Sequence, residues 1–501
     1  MSKNLHNTVD TLGELKNSGW ESVSVKEEIR RNLIGKIRSG ETLFPGIKGY
    51  DKSVIPQLQH ALLAKHDIIL LGLRGQAKTK ILRQLTSFLD EYMPIVEGSE
   101  INDDPLNPVS KQSRKIIEEQ GDETPIRWVH RSERYGEKLA TPDTAVADLI
   151  GDIDPIKAAA KKLTLADENV INFGLVPRTN RGIFAINELP DLQPRIQVAL
   201  LNIMQERDIQ IRGFNVRIPL DVAMVFSANP EDYTNRGNII TPLKDRIDSQ
   251  ILTHYPRKIE IGMEITEQEA WISRDGEVEI QVPDLIKELL EQVAFEARES
   301  EYIDQKSGVS TRMTITAMEQ LISAAERRAL VNGETSTTTR LTDVFHMVPA
   351  LTGKLELVYE GEQEGALNVA KHIIGKAIKK TFSQHFPNPE EQKKQEKESI
   401  YKPVLDWFTN GNDLELTDYM SQKEYEQALD SVNGLAKIVK NRGEADNKEV
   451  KYVLMDFVIE ALHQNSMLGK EDLDDARSYS DMLGSMLGSM DDLDDFEDFD
   501  Q

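Results

Sequence analysis

A glycine-bearing turn lies between a short apolar run and a stretch of helical periodicity. The run is Ile68-Ile69-Leu70-Leu71, the turn is Gly72-Leu73-Arg74-Gly75-Gln76-Ala77-Lys78-Thr79, and Leu82, Leu85 and Leu89 follow on one helical face. Strand, turn and helix in that order form a phosphate loop: the backbone curls so that several N–H groups face phosphate oxygens, and the helix start adds a positive dipole end. Gly72, Gly75, Gln76 and Ala77 would form the cradle, with Ala77 standing where a second glycine is usual. The Lys78 ammonium would reach the β- and γ-phosphates, and the Thr79 hydroxyl would ligate Mg2+. Two more apolar runs end in polar residues. Residues 182–186 lead into Asn187-Glu188, where a phosphate-loop ATPase carries an acid that orients Mg2+ and an acid that activates water. Glu188 suits a general base. Asn187 offers an amide where aspartate is usual; it can bond a Mg2+-bound water but lacks the charge that the ion prefers, so weaker metal retention and slower turnover are expected. Residues 222–226 lead into Ser227-Ala228-Asn229, which would set Asn229 beside Glu188 to position the water or touch the γ-phosphate. Taken alone, Asn229-Pro230 is a turn.

These residues need a scaffold, and the chain supplies one. From about residue 44 to 256, short runs rich in Ile, Val and Phe alternate with helix-period stretches, which predicts a parallel sheet covered on both faces. Within it, Ile209-Gln210-Ile211 and Val216-Arg217-Ile218 flank Gly213-Phe214-Asn215 and predict a hairpin. The stretch 92–172 is too long for a connection and implies an inserted subdomain, in which Trp128, His130 and Arg131 cluster without evident chemistry. Residues 257–350 read as helical: Leu285, Leu289 and Val293 share one face behind Pro283, and Met318, Leu321, Ala325 and Ala329 share the next. Residues 351–468 are also helix-like, with a polar linker around 386–399, and residues 1–42 are helical and charged.

Composition narrows the function classes. The 501 residues carry a net charge of −25, which argues against wholesale wrapping of nucleic acid or an anionic membrane. The absence of cysteine excludes disulfide scaffolds, thiolate metal sites and cysteine catalysis. The apolar runs fall far short of a membrane span, and the first residues show no secretory pattern, so a cytoplasmic protein is expected. Residues 471–501 hold twelve acidic residues against one arginine and repeat Met-Leu-Gly-Ser at 482–485 and 486–489, which predicts a disordered acidic tail.

The order of these motifs resembles one family, the AAA+ ATPases of the MoxR and magnesium-chelatase ATPase-subunit group. The likeness is carried by the Ala-Lys-Thr loop, the acidic strand, the hairpin and the Ser-Ala-Asn-Pro strand end. It is carried also by Phe44-Pro45-Gly46-Ile47-Lys48-Gly49-Tyr50-Asp51, Leu149-Ile150-Gly151-Asp152-Ile153-Asp154 and Phe173-Gly174-Leu175-Val176-Pro177-Arg178-Thr179-Asn180-Arg181-Gly182-Ile183. The resemblance covers about residues 40–350. It implies an α/β core at 43–256 and an all-α lid at 257–350; outside its span the sequence itself predicts an N-terminal helical segment at 1–42, a further helical region at 351–468 and an acidic tail at 469–501. It implies ATP and Mg2+ as ligands, and a ring, usually a hexamer. Arg246 in Leu243-Lys244-Asp245-Arg246-Ile247 would then act as an arginine finger in the neighbouring subunit's site, worth ~10³–10⁵ in rate. Arg312 in Gly308-Val309-Ser310-Thr311-Arg312 would contact the γ-phosphate of its own subunit from the lid, whereas Arg340 would serve packing. Family partners often carry a von Willebrand A-type domain; no Asp-x-Ser-x-Ser motif occurs here, so such a domain would come from another chain.

The implied function is an ATP-hydrolysing ring protein that remodels a partner protein or inserts metal into it. The Asn187 amide motivates a second reading, a hydrolysis-weak, nucleotide-gated assembly scaffold. A third, a nucleic-acid-linked regulator, has the predicted hairpin with Arg212 and Arg217 in its favour. The acidic charge and the lack of the Gly-Ala-Phe-Thr-Gly-Ala loop of enhancer-binding activators count against it.

Overall fold

The computed structural model describes residues 5–164, 167–210, 217–230, 238–276, 278–389, 399–440, 442, 445–473 and 476–482. The chain forms two units, residues 1–255 and 256–501.

The first unit is built on five parallel strands: β1 (Ile68–Leu71), β2 (Tyr135–Leu139), β3 (Gly182–Asn187), β4 (Val222–Ala228) and β5 (Ser249–Leu252). Their order across the sheet is β5-β1-β4-β3-β2. The central strands are apolar throughout because both faces are covered, as a parallel sheet requires. Ile183, Ala185 and Val225 enter one core with Ile68 and Leu70, whereas Phe184, Ile186 and Phe226 enter another on the opposite face. Edge strand β2 reads Tyr-Gly-Glu-Lys-Leu and is only partly buried.

Helices α1 (Val25–Ser39), α2 (Val54–Leu63) and α3 (Lys78–Gln84) contribute to the first of these cores. α1 begins where Ser24 accepts from the Glu27 backbone N–H and ends at Gly40, which takes a left-handed φ of 71°. The N-terminal segment is thus part of the core. Glu28, buried on α1, receives two hydrogen bonds from Arg134 (2.7 and 2.6 Å), and Arg134 also donates to the Arg181 carbonyl at 3.0 Å. α4 (Pro194–Glu206) buries Ile196, Leu200 and Ile203 in the other core. Beyond it, Asp208–Gln210 pairs antiparallel with Arg217–Pro219, as the hairpin arms predicted; Arg212 and Gly213-Phe214-Asn215 lie outside the described residues.

The stretch 92–172 is less of an insertion than its length suggests, because β2 lies within it. The remainder includes the pairs Tyr92–Val96 with Ile126–His130 and Gly151–Ile153 with Ile171–Phe173, and the helix Lys111–Gln120. Its aromatic cluster is structural. Trp128 meets Trp20 edge-on at 5.5 Å and donates to the Val9 carbonyl at 2.8 Å, fastening the N-terminal segment.

In the second unit, α5 (Asp284–Glu299), α6 (Arg312–Asn332), α7 (Ala366–His385) and α8 (Lys448–Gln464) share one continuous core running from Leu285 to Tyr479. Of the predicted apolar faces, Leu285, Leu289 and Val293 of α5 and Met318 and Leu321 of α6 enter it, and Ala325 and Ala329 are buried as well. Residues 257–350 and 351–468 therefore share one hydrophobic interior. Composition also hid structure at the start of the acidic tail. β6 (Leu414–Thr417), β7 (Gly469–Asp472) and β8 (Ala476–Ser480) form an antiparallel three-stranded sheet. There the acidic side chains of Glu471 and Asp472 face outward, while Arg477 and Tyr479 are buried. The Met-Leu-Gly-Ser repeats lie outside the described residues, apart from Met482. No described helix is long and apolar enough to cross a membrane.

Candidate nucleotide site

The phosphate-loop sequence folds as strand, turn and helix, running from β1 to α3. The turn needs left-handed backbone at two places, Gly75 (φ 75°) and Ala77 (φ 57°). Alanine there costs about 1–2 kcal/mol relative to a right-handed conformation, which is why glycine is usual at this position. Gly72 is required for a different reason: a Cβ would overlap Thr253 Oγ1 and Gln76 Oε1. Those two atoms are themselves hydrogen-bonded, Thr253 donating to Gln76 at 2.6 Å. Tyr50 donates between the carbonyls of Gln76 and His254, at 3.1 and 2.8 Å. Burial pushes the Tyr50 phenol up to about 12, so it stays a donor. The Tyr255 hydroxyl holds the Arg74 carbonyl at 2.9 Å. Side chains from outside the loop thus fix its backbone at Arg74 and Gln76.

Lys78 is buried, and its ammonium folds over the loop to donate to the carbonyls of Gly72 and Leu73, the latter at 3.0 Å. Thr79 follows at the start of α3, partly accessible. The loop therefore offers curled backbone, a cation and a hydroxyl together, which is the donor set a magnesium-bound triphosphate needs.

Parallel pairing brings the other polar residues to the same sheet edge. Leu71 pairs with Ala228, and the Gly72 backbone donates to the Ala228 carbonyl at 3.1 Å. Asn229, one residue on, is buried beside the loop's first residue. Phe226 pairs with Ile186, so Ser227 and Asn187 lie side by side, and the Ser227 hydroxyl donates to Asn187 Oδ1 at 2.9 Å. Glu188 turns off β3 in a left-handed conformation (φ 55°, ψ 49°), a strain of the kind that concentrates at functional sites. Gly72, Gly75, Gln76, Ala77, Lys78, Thr79, Asn187, Glu188 and Asn229 therefore converge on the carboxyl edge of β1, β3 and β4.

Two further predicted residues belong to other elements. Arg246 ends the short helix Thr241–Arg246, is exposed and pairs with Asp245 at 3.1 Å. Arg312 opens α6 in the second unit, where its side chain is exposed and its backbone N–H donates to Ser310 at 3.2 Å. Arg340 is buried, as the packing role predicts: it donates to the Met420 carbonyl at 2.7 Å and stacks on Tyr425.

Sequence reading missed Glu137, the middle residue of β2. Its carboxylate accepts from Asn187 Nδ2 at 2.7 Å and from Arg83 Nε and Nη2 at 2.8 and 3.1 Å. The sequence signal was weak, because an edge strand with a polar centre has no apolar run. Tyr50, Thr253 and Tyr255, which brace the loop, are equally distant from it in sequence.

Known proteins resemble this chain over parts of its length. Residues 163–250 match the Sigma-54 interaction domain family. The chain is 27% identical over 216 residues to the magnesium-chelatase 38 kDa subunit of Cereibacter sphaeroides, covering 41% of this chain and 56% of that protein. It is 26% identical over 209 residues to the subunit of the same name from Rhodobacter capsulatus, covering 40% and 51% respectively. The chain thus spans about half the length of these curated relatives. Among solved structures, a magnesium-chelatase BchI–BchD assembly aligns at 20% identity and a TM-score of 0.34, covering 64% of this chain and 98% of that one. A putative ATPase from Cytophaga hutchinsonii aligns at 17% identity and a TM-score of 0.31, covering 72% and 97%.

Proposed function

We infer that this chain is an AAA+ protein of the magnesium-chelatase ATPase group, to which its partial similarities point. We propose that it binds ATP with Mg2+ over the loop containing Lys78, hydrolyses it, and couples turnover in a ring of like subunits to the remodelling of, or metal insertion into, a partner protein. The observation that carries this reading is the meeting of three strand ends at one edge, where the Lys78 ammonium, the Thr79 hydroxyl, the Asn187 amide and the Glu188 carboxylate lie within one sheet register.

Each residue then has a task. Loop N–H groups and Lys78 bind the phosphates, with phosphate oxygens taking over the ammonium that the Gly72 and Leu73 carbonyls now hold. Thr79 and Asn187 are the hard oxygen donors near which Mg2+ would sit; the ion, when bound, neutralises charge on the phosphates. Glu188 draws a proton from the attacking water, and Asn229 orients that water or the γ-phosphate. Arg246, exposed and paired with its exposed neighbour Asp245, is available to enter an adjoining subunit's site. Arg312 would act from the lid. The partner is expected to carry a von Willebrand A-type domain, by analogy with the family.

Phosphate release by the purified protein tests the reading, together with a mixing experiment. Arg246→Ala and Glu188→Gln proteins should each be inactive. Mixed, they should recover turnover, because some sites would join an intact Glu188 to an intact Arg246. No release by the wild type, with ATP still bound, would favour the hydrolysis-weak scaffold that the Asn187 amide motivates.

A further inference from the structure

We propose that Glu137 supplies the negative charge for Mg2+ that β3 lacks because it ends in Asn187, and that Arg83 holds this carboxylate against the helix that carries Thr79. The inference rests on the nucleotide reading above and names a metal-positioning residue for it.

Position comes first. In the β2–β3 register Leu139 pairs with Asn187 and Glu137 pairs with Ala185. Side chains alternate along a strand, so Glu137 and Asn187 leave the same face of the sheet. Ala185 belongs to the core that Leu82 and Leu85 enter, so this is the face covered by α3. Arg83 lies four residues after Thr79 on α3, one helical turn along the same side. A carboxylate gripped by both nitrogens of the Arg83 fork therefore lies against the helix surface that presents Thr79.

Chemistry comes second. Asn187 is used at both ends: its oxygen accepts from Ser227 and its nitrogen donates to Glu137. The amide cannot supply a charge, but it anchors a residue that does. Mg2+ keeps several of its waters in protein sites, so a carboxylate one water away can serve it as well as one in direct contact. The alternative is a plain surface ion pair. Arg83 is 64% exposed in its side chain, and pairs of such exposure contribute little to stability. Nor does a surface pair explain why a buried strand-end amide turns its donor to the same carboxylate.

The test uses the full chain, ADP as the nucleotide and Mn2+ as the probe, with bound Mn2+ counted by electron paramagnetic resonance. Glu137→Gln should leave ADP affinity in EDTA unchanged, which also reports intact folding. It should raise the Mn2+ half-saturation concentration on the order of 10- to 100-fold, the usual cost of losing a group that supports a metal ligand. Adding Asn187→Asp to that variant should restore most of the loss. Arg83→Ala, which leaves the carboxylate in the protein but frees it, should raise the Mn2+ half-saturation less than Glu137→Gln does. The proposal is overturned if Glu137→Gln stays within about twofold of wild type, a change below the usual range for such groups. It is overturned equally if Arg83→Ala weakens Mn2+ as much as Glu137→Gln does, since the pair would then merely brace α3. If wild-type protein binds no ADP with or without metal, the nucleotide reading itself fails and takes this inference with it.

Discussion

The two units both gather charge, but in opposite ways. Around the edge of β1, β3 and β4, charged groups of α3 and β2 are held by bonds a ligand could exchange: Lys78 on backbone carbonyls, Glu137 on an exposed guanidinium. Two residues there, Ala77 and Glu188, sit in left-handed backbone. In the second unit the charges are sealed. Arg477 bonds Asp456 through Nη2 at 3.2 and 3.1 Å and Tyr479 through Nη1 at 3.0 Å, while Tyr425 donates to Asp456 at 2.9 Å. Lys470 reaches Glu460 at 3.2 Å. Burial pushes the Glu460 carboxyl up, but Lys470 and Arg477 outweigh it and leave the group below its ordinary value. Shifted ionisation at Glu460 therefore marks fold closure in the second unit. Perturbed groups are candidates for function only where a ligand can reach them.

The sharpest way to break this contrast is Lys78→Ala. It should abolish nucleotide binding, measured by titration with a fluorescent ATP analogue, while thermal unfolding of the second unit stays where it was. Asp456→Ala should do the reverse. Leaving Arg477 buried without one of its two carboxylate partners should cost up to about 3–5 kcal/mol, read as a lowered unfolding transition with nucleotide affinity unchanged. Loss of ATP binding in that variant would mean the two charge systems are coupled. A smaller effect is expected from Ala77→Gly. Relief of the left-handed alanine should stabilise the first unit by about 1 kcal/mol, partly offset by glycine's freedom in the unfolded chain; denaturant midpoints decide it. The smallest is the pH response. Asp418 at 3.0 Å raises the His346 pKa, and Glu288 at 2.8 Å raises that of His385. A raised histidine stabilises fully below its unfolded value of about 6.5 and loses that contribution as pH climbs through the folded value. Both imidazoles are exposed enough that each pair should contribute only about 0.2–1 kcal/mol. Stability measured from pH 5.5 to 8 should fall slightly, and His346→Gln with His385→Gln should flatten the slope.

The sequence was most legible where local chemistry dictates structure. The loop from Gly72 to Thr79, the polar ends of β3 and β4, and the apolar faces of α5 and α6 were all visible, because glycine placement and hydrophobic period are local signals. What stayed hidden depends on pairing between distant segments. Tyr135–Leu139 carries no buried-strand pattern because it lies at the sheet edge, so Glu137 passed unnoticed. Glu28 carries no local signal on a charged helix, because the residue that buries it, Arg134, is 106 positions away. The strands at 469–480 were concealed by averaging: a window dominated by aspartate masks the alternation of Arg477 and Tyr479 inward.

One brace of the phosphate loop has a mechanical consequence. Thr253 bonds Gln76, His254 receives Tyr50, and Tyr255 grips the Arg74 carbonyl, and these three consecutive residues are the last of their unit. The peptide that leaves for Pro256 therefore starts from a point already moored to the loop at successive stations. An entering anion that shifts Arg74 or Gln76 would thus be felt at the last residues of the first unit through hydrogen bonds alone.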